Sequence, residues 1–216
     1  MNKYPVTNGI NDEELALLAE CLHLEKRSFR RGEVIMKLSE AAGYSCIMHS
    51  GTACLRSIDE QGEENILDIY LEGDIFGSLI STESDVNLYY VFAKTDCDVS
   101  FFATEGITGL CKRLCPCHRR FAQNVLGSAV RRSRIHLDIL SGRTIRKKLV
   151  SVFEYFAQED ENGLLYLPVP LSDLAEYICV DRSAMMRELA KMKRENLISS
   201  PAPDRYILNS GLISEG

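Results

Sequence analysis

The chain of 216 residues is 45% hydrophobic and 26% charged, a composition typical of a soluble globular protein and not of a disordered or fibrous one. It contains no signal peptide and no apolar run as long as a membrane span, so we expect a cytoplasmic protein without a membrane partner. Eight irregularly spaced cysteines then indicate free thiols in a reducing compartment, not a disulfide framework.

The net charge of −6 argues by itself against a nucleic-acid-binding protein, but the charges are unevenly distributed. Residues 1–110 carry 8 basic and 19 acidic side chains, whereas residues 111–148 carry 11 basic side chains and 1 acidic one. Residues 181–194 carry 5 basic and 2 acidic side chains. Such local basic surfaces attract phosphate, although a solvated charged face is the alternative interpretation.

The first half of the chain predicts one helix followed by short strands. Met1 to Gly9 is expected to be disordered, and Asn11 is expected to cap a helix with Glu14 as its capping-box partner. From Ser28 to about Phe102, short apolar runs separated by glycine turns predict a β-sandwich or barrel. The expected strands lie at residues 34–35, 46–48, 53–55, 65–70, 88–93 and 99–102.

A cysteine cluster precedes a long helix that is expected from about Pro116 to Leu140. Thiolate and imidazole groups bind zinc or an iron–sulfur cluster, but the spacing here matches no common ligand motif. A helix N-terminus with nearby cationic side chains also favours a redox-active thiolate, and inert cysteines are the third interpretation. Haem ligation by His49 or His118 is a further alternative, so no cofactor is named. The candidate ligands are Cys111, Cys115, Cys117 and His118.

Apolar residues recur along the long helix at steps of four and three, which is typical of two parallel helices packing across a dimer axis. Neighbouring residues on another face can pack on the strands instead, among them Phe121, Val125, Ile135 and Ile139. A hinge at residues 141–142 and a helix from Thr144 to Ala157 follow. The predicted dimer seam consists of Ala122, Leu126, Ala129, Ser133, His136 and Leu140.

Residues 171–194 are typical of two short helices joined by a tight turn, with Asp181 as the N-cap of the second helix. In that second helix Met185, Leu189 and Met192 recur at steps of four and three, so we expect them to face inward. The opposite face alternates small residues with arginines, as a DNA-reading helix requires, although an ordinary helical hairpin with a basic face is the alternative. The predicted DNA contacts are Arg182, Ser183, Met186, Arg187, Ala190, Lys191 and Arg194.

After Asn196, which tolerates a left-handed conformation, a strand, a turn and the strand at residues 205–208 predict a wing. The run from Val180 to Leu189, with residues 195–198, resembles the C-terminal motif of the Crp-Fnr transcription regulators, closest to the branch common in anaerobic Gram-positive bacteria. Cys179 departs from that family, which often has glycine there.

The resemblance implies an α+β fold with an N-terminal jelly-roll-like β-roll, a long dimerisation helix and a C-terminal winged helix-turn-helix. The corresponding domains are a sensor at residues 1–109, the dimerisation helix at 110–140 and a DNA-binding domain at 141–216. It further implies a homodimer that binds a palindromic operator in double-stranded DNA, with RNA polymerase as a partner if the protein is an activator. A small-molecule or redox signal would control it.

The segment from Gly73 to Leu79 is similar to the family's phosphate-binding cassette, with Ser78 in place of a glutamate that holds the ribose. The arginine that neutralises the cyclic phosphate is replaced near Asn87, and residues 81–93 contain no arginine or lysine. Because a buried phosphate needs a cationic partner, we do not expect tight binding of cyclic AMP. The aromatic residues at 89, 90 and 92 indicate a more apolar pocket or, for at least two of them, simply core. The candidate effector pocket is Gly73, Asp74, Phe76, Gly77, Ser78, Leu79, Tyr89, Tyr90 and Leu126.

The sequence contains no phosphate-binding loop, zinc-protease helix, nucleophile elbow or dinucleotide fingerprint, so we do not expect an enzyme. Two classes of function are left. The first is a sequence-specific transcription regulator of the Crp-Fnr type. The second is a small-molecule-, metal- or redox-sensing protein whose DNA binding is lost or secondary.

Overall fold

The computed structural model describes residues 5–40, 43–78, 88–108 and 116–209. The chain divides into two compact units, Met1–Arg131 and Arg132–Gly216. The strands of the first unit are β1 (Glu25–Phe29), β2 (Val34–Lys37), β3 (Tyr44–Ser50), β4 (Ala53–Ile58), β5 (Glu64–Tyr70), β6 (Ile75–Gly77), β7 (Leu88–Ala93) and β8 (Cys97–Ala103). The first unit also contains a short 3₁₀ helix at Pro5–Thr7. Its α-helices are α1 (Asp12–Leu22), α2 (Glu105–Thr108) and the first part of α3 (Pro116–Ser141).

The strands of the first unit form a sandwich of two four-stranded antiparallel sheets, in the orders β1-β8-β3-β6 and β2-β7-β4-β5. Alternate residues of each strand point into the space between the sheets, so that Met48 and Val99 of one sheet share an apolar core with Leu55 and Val91 of the other. The predicted β-sandwich is therefore confirmed, as are its six predicted strands, while β1 and β6 are additional.

A second apolar cluster lies against the outer face of the first sheet, where Phe102 packs with Leu18 of α1 and Phe121 of α3. Asn11 caps α1 in the predicted capping box, since its side chain accepts from the Glu14 amide at 2.9 Å. The expected disorder of Met1 to Gly9 is wrong for the described part of that segment. Val6 is 2% exposed because its side chain joins this cluster, and its carbonyl oxygen accepts a hydrogen bond from Asn124 Nδ2 at 3.1 Å.

The second unit contains the end of α3, followed by three helices and a small sheet. The helices are α4 (Ile145–Phe156), α5 (Leu171–Tyr177) and α6 (Arg182–Arg194). The strands β9 (Gln158–Glu159), β10 (Leu165–Tyr166), β11 (Ile198–Ala202) and β12 (Arg205–Leu208) form the sheet in the order β11-β12-β10-β9. Among the helices in the described ranges, none is long and apolar enough to cross a membrane.

Candidate nucleic-acid interface

A tight turn joins α5 to α6, as the sequence predicts. Ile178 closes α5, and Cys179 takes a left-handed conformation with φ of 53°, which a non-glycine residue adopts at some cost. Asp181 then caps α6, because its Oδ1 accepts from the Ala184 amide at 2.8 Å. The first turn of α6 is therefore fixed at the residues that are predicted to read DNA.

The two faces of α6 differ as predicted. Met185, Leu189 and Met192 are 0%, 3% and 0% exposed, so they bind the helix to the rest of the unit. Every predicted DNA contact lies on the exposed side, and Met186 is the large apolar residue among them, at 43% exposed. These exposed residues are Arg182, Ser183, Met186, Arg187, Ala190, Lys191 and Arg194.

Two cationic side chains of α4, Arg146 and Lys148, bind α5 and α6. Arg146 donates through Nε to Glu188 Oε1 at 2.7 Å, and its second nitrogen lies 2.7 Å from Glu195 Oε2. Lys148 Nζ donates to the Ile178 carbonyl oxygen at 2.8 Å, which satisfies an acceptor at the end of α5. The end of α5, the middle of α6 and its C-terminal end are thus bound by the same helix.

The hairpin of β11 and β12 follows α6 directly. Asn196 has φ of 57°, which confirms the predicted left-handed residue after the helix, and Asp204 has φ of 54° at the hairpin turn. Arg205 pairs with Asp160 through an Nε–Oδ2 contact of 2.8 Å and lies over the Tyr166 ring. A cavity of about 410 Å³ lies between residues 167–172, Arg182 and the hairpin. The arginine of the hairpin is therefore held within the unit, while Arg182 stays exposed.

Most of the predicted effector-pocket residues that the structure describes have a structural role. Gly77 has φ of 124°, and a Cβ there would lie 2.6 Å from the Tyr44 carbonyl oxygen, so only glycine fits. Phe76 is 1% exposed and stacks on Tyr70, and Ser78 hydrogen-bonds Thr104 through their hydroxyl groups. Gly73 has φ of 87°, and Asp74 Oδ2 accepts from the Leu71 amide at 2.7 Å. Leu79 and Asn87 lie outside the described residues.

The aromatic residues of β7 divide between the two faces of their sheet. Tyr89 packs against the core of the sandwich. Tyr90 and Phe92 lie on the opposite face, where Tyr90 donates to Glu64 and the Arg56 guanidinium lies 4.9 Å from the Phe92 ring centre. Burial, followed by the hydrogen bond to Glu64, raises the pKa of Tyr90. The expectation that at least two of the three aromatics belong to the core is therefore wrong, because strand alternation leaves only Tyr89 inside.

The described part of the cysteine cluster is packed inside the first unit. Cys117 is 2% exposed in the same apolar cluster as Phe121, and His118 Nε2 donates to the Gly106 carbonyl oxygen. Cys111 and Cys115 lie outside the described residues. Within the part of the chain that the structure describes, no three His, Cys, Asp or Glu side chains are placed to hold a metal.

An exposed apolar stripe runs along α3, but its register differs from the predicted seam. Leu126 is exposed as predicted, at 57%, whereas His136 is half-buried because its ring stacks on Tyr177 at 4.3 Å. The most exposed apolar residues of the helix are Val130, at 70%, and Leu137, at 66%. Both were absent from the prediction, although their spacing of four and eleven residues from Leu126 indicates the same face. Leu126 also belongs to the candidate effector pocket, but it is open to solvent in this chain.

Residues 26–114 match the family model of the cyclic nucleotide-binding domain. No curated protein matches the chain. A solved structure of FixK2 from Bradyrhizobium japonicum is 18% identical, covers 88% of this chain and 96% of its own, and has a TM-score of 0.68. A CooA mutant from Carboxydothermus hydrogenoformans is 14% identical, with 100% and 96% coverage and a TM-score of 0.72. TTHA1359, a transcriptional regulator of the CRP/FNR family from Thermus thermophilus, is 20% identical, with 88% and 97% coverage and a TM-score of 0.62. The resemblance of the sequence to the Crp-Fnr regulators is thus confirmed at the level of the fold.

Proposed function

We propose that this chain, which has the fold of the Crp-Fnr regulators, is a sequence-specific DNA-binding transcription regulator. The observation that carries the proposal is the exposed basic face of α6. This helix begins at a tight turn capped by Asp181, and its opposite face is buried. In this proposal α5, α6 and the β11–β12 hairpin form a winged helix-turn-helix, and α6 enters the major groove. Arg182, Ser183 and Arg187 would contact base edges, where an arginine fork fits the O6 and N7 atoms of guanine.

The proposed active form is a homodimer on a palindromic operator, with half-sites about 34 Å apart, one turn of DNA. The exposed stripe of α3 supports it, since Leu126, Val130 and Leu137 are more than half exposed on one helix face. The functional division would follow the predicted domains: a sensor at residues 1–109, a dimerisation helix at 110–140 and a DNA-binding domain at 141–216. RNA polymerase is the expected partner if the protein activates transcription.

The signal is proposed to be something other than cyclic AMP. Residues 81–93 supply no cation for a cyclic phosphate, and the nearby Arg56 is engaged by Glu64. Ser78, which replaces the ribose-binding glutamate, bonds to Thr104 instead. An effector of another chemistry, or a redox or metal signal at the cysteine cluster, would then bias a two-state dimer and set the spacing of its recognition helices.

Selection of duplexes from a randomised palindromic pool by the purified protein tests the proposal, followed by the same selection with Arg187→Ala. We expect the substitution to weaken binding by about 1–3 kcal/mol and to relax one base position per half-site. Arg119→Ala, an exposed arginine of α3, is the matched control and should keep the sequence preference. An unchanged preference in Arg187→Ala would contradict direct base readout. Absence of salt-dependent binding to any duplex would refute the function itself.

A further inference from the structure

Two glutamates border the proposed DNA-binding face of α6. At 100° per residue, Glu188 and Glu195 lie about 80–100° around the helix from Arg187 and about 40–60° from Lys191. Their side chains are 22% and 38% exposed. A carboxylate in this position repels DNA phosphates and can also pair with a cation three or four residues away on the same helix.

Lys191 is the cation that these glutamates can reach, because it is three residues after Glu188 and four before Glu195. In the structure its ammonium lies 3.9 Å from Glu195 Oε1, whereas the guanidinium of Arg146 lies 2.7 Å from Oε2 of the same carboxylate. Arg146 therefore makes the closer contact with Glu195, and it also contacts Glu188, at 2.7 Å.

One guanidinium thus bridges two carboxylates that are separated by two turns of α6, and each contact is a charge-assisted hydrogen bond. The two glutamates raise the pKa of Arg146, chiefly through these hydrogen bonds, and the hydrogen bond from Arg146 lowers the pKa of Glu195. Arg146 and Glu195 are therefore both charged at neutral pH. Partly exposed ion pairs contribute little to stability, so folding alone is a weak reason for this arrangement.

We propose that Arg146 is a positioning residue that holds Glu188 and Glu195 away from the DNA-binding face of α6, so that Lys191 keeps only a 3.9 Å contact with Glu195 and can reach phosphate. This inference rests on the proposed function and assigns a role to a residue of α4 that lies off the recognition helix. Without Arg146, two uncompensated carboxylates would flank the face and compete with DNA for Lys191.

A purely structural role and this electrostatic role differ in one measurable respect. Arg146→Gln and the double variant Glu188→Gln/Glu195→Gln break the same two ion pairs, so they should lower the thermal midpoint of unfolding by similar amounts. If the pairs only orient α6, both variants lose DNA affinity together. If Arg146 screens the carboxylates, only Arg146→Gln loses affinity, because the double variant contains no charge to screen.

The test measures binding of these variants to a duplex that the wild-type protein selects from a randomised pool, at several salt concentrations. We expect Arg146→Gln to bind roughly tenfold more weakly at about 0.1 M salt, with a smaller deficit as salt screens the repulsion. Glu188→Gln/Glu195→Gln should bind at least as tightly as the wild type. Equal losses in both variants, or no loss in Arg146→Gln, would overturn the inference.

The triple variant Arg146→Gln/Glu188→Gln/Glu195→Gln keeps the test decisive if Arg146→Gln does not fold. This variant lacks both Arg146 and the two carboxylates. If Arg146 acts by screening them, the variant should bind DNA at least as tightly as the wild type. If the ion pairs act by orienting α6, the variant should lose DNA affinity. If the wild-type protein itself selects no duplex, the proposed function fails. If the wild type selects a duplex and the variants behave otherwise than expected, only the role of Arg146 fails.

Discussion

Replacement of Leu126 by Asp is expected to dissociate the proposed dimer. Leu126 and Val130 are 57% and 70% exposed and lie one turn apart on α3, so a second copy of the helix can cover both. Complete burial of such a side chain contributes about 1.5–3 kcal/mol, so covering the exposed part of Leu126 contributes on the order of 1–2 kcal/mol. Because the substitution occurs in both copies, it removes roughly 2–4 kcal/mol and places two carboxylates at the interface. The lost apolar burial alone should raise the dissociation constant at least about thirtyfold, and the two carboxylates should raise it further.

Sedimentation equilibrium over a range of protein concentrations measures this change. Leu17→Asp is the matched control, because Leu17 is an exposed leucine of α1, at 47%, and lies on another helix. It should leave the dissociation constant unchanged. A Leu126→Asp variant that sediments as the wild type does, or a Leu17→Asp variant that dissociates equally, would refute the assignment of α3 as the dimer helix.

Two further predictions concern the cap of α6 and the sensor. Asp181→Ala should lower the free energy of unfolding by about 1 kcal/mol, because the amide of Ala184 loses its acceptor, while Asp181→Asn should stay within a few tenths. Denaturant titration of the wild type and both variants checks this. If Asp181→Ala were as stable as the wild type, the cap would contribute nothing. Isothermal titration of the protein with cyclic AMP should show no tight binding, since residues 81–93 contain no cation to neutralise the phosphate. A sub-micromolar dissociation constant would contradict that expectation.

Helix ends and buried faces could be predicted from the sequence because their causes lie within one or two turns. The Asn11 capping box, the Asp181 cap and the left-handed Asn196 are each decided by a residue and its near neighbours. The inward faces follow from periodicity, as Met185 and Leu189 illustrate with exposures of 0% and 3%.

Features that depend on distant partners could not be predicted in this way. Strand β1, Glu25–Phe29, has charged residues at its first three positions and lies at a sheet edge, where it pairs with β8, so no alternating apolar pattern marks it. The segment around Val6 lacks a local helical signal, and Asn124, far along the chain, binds its carbonyl oxygen. The predicted seam of α3 included His136 because spacing alone does not reveal that Tyr177 covers its ring.

The charge of the proposed DNA-binding face illustrates the same limit and shows how an acidic chain can carry a locally basic face. A count of the charged side chains in residues 181–194 gives a basic segment. This count omits Glu195 and treats Glu188 as an unpaired charge. In the folded chain Arg146, 42 residues before Glu188, occupies both carboxylates. Phosphates respond mainly to charges within about 8–10 Å, the screening length at physiological salt, so the local arrangement around α6 decides binding more than the net charge of −6 does. The basic character of the face is therefore a property of the α4–α6 packing as much as of α6 itself.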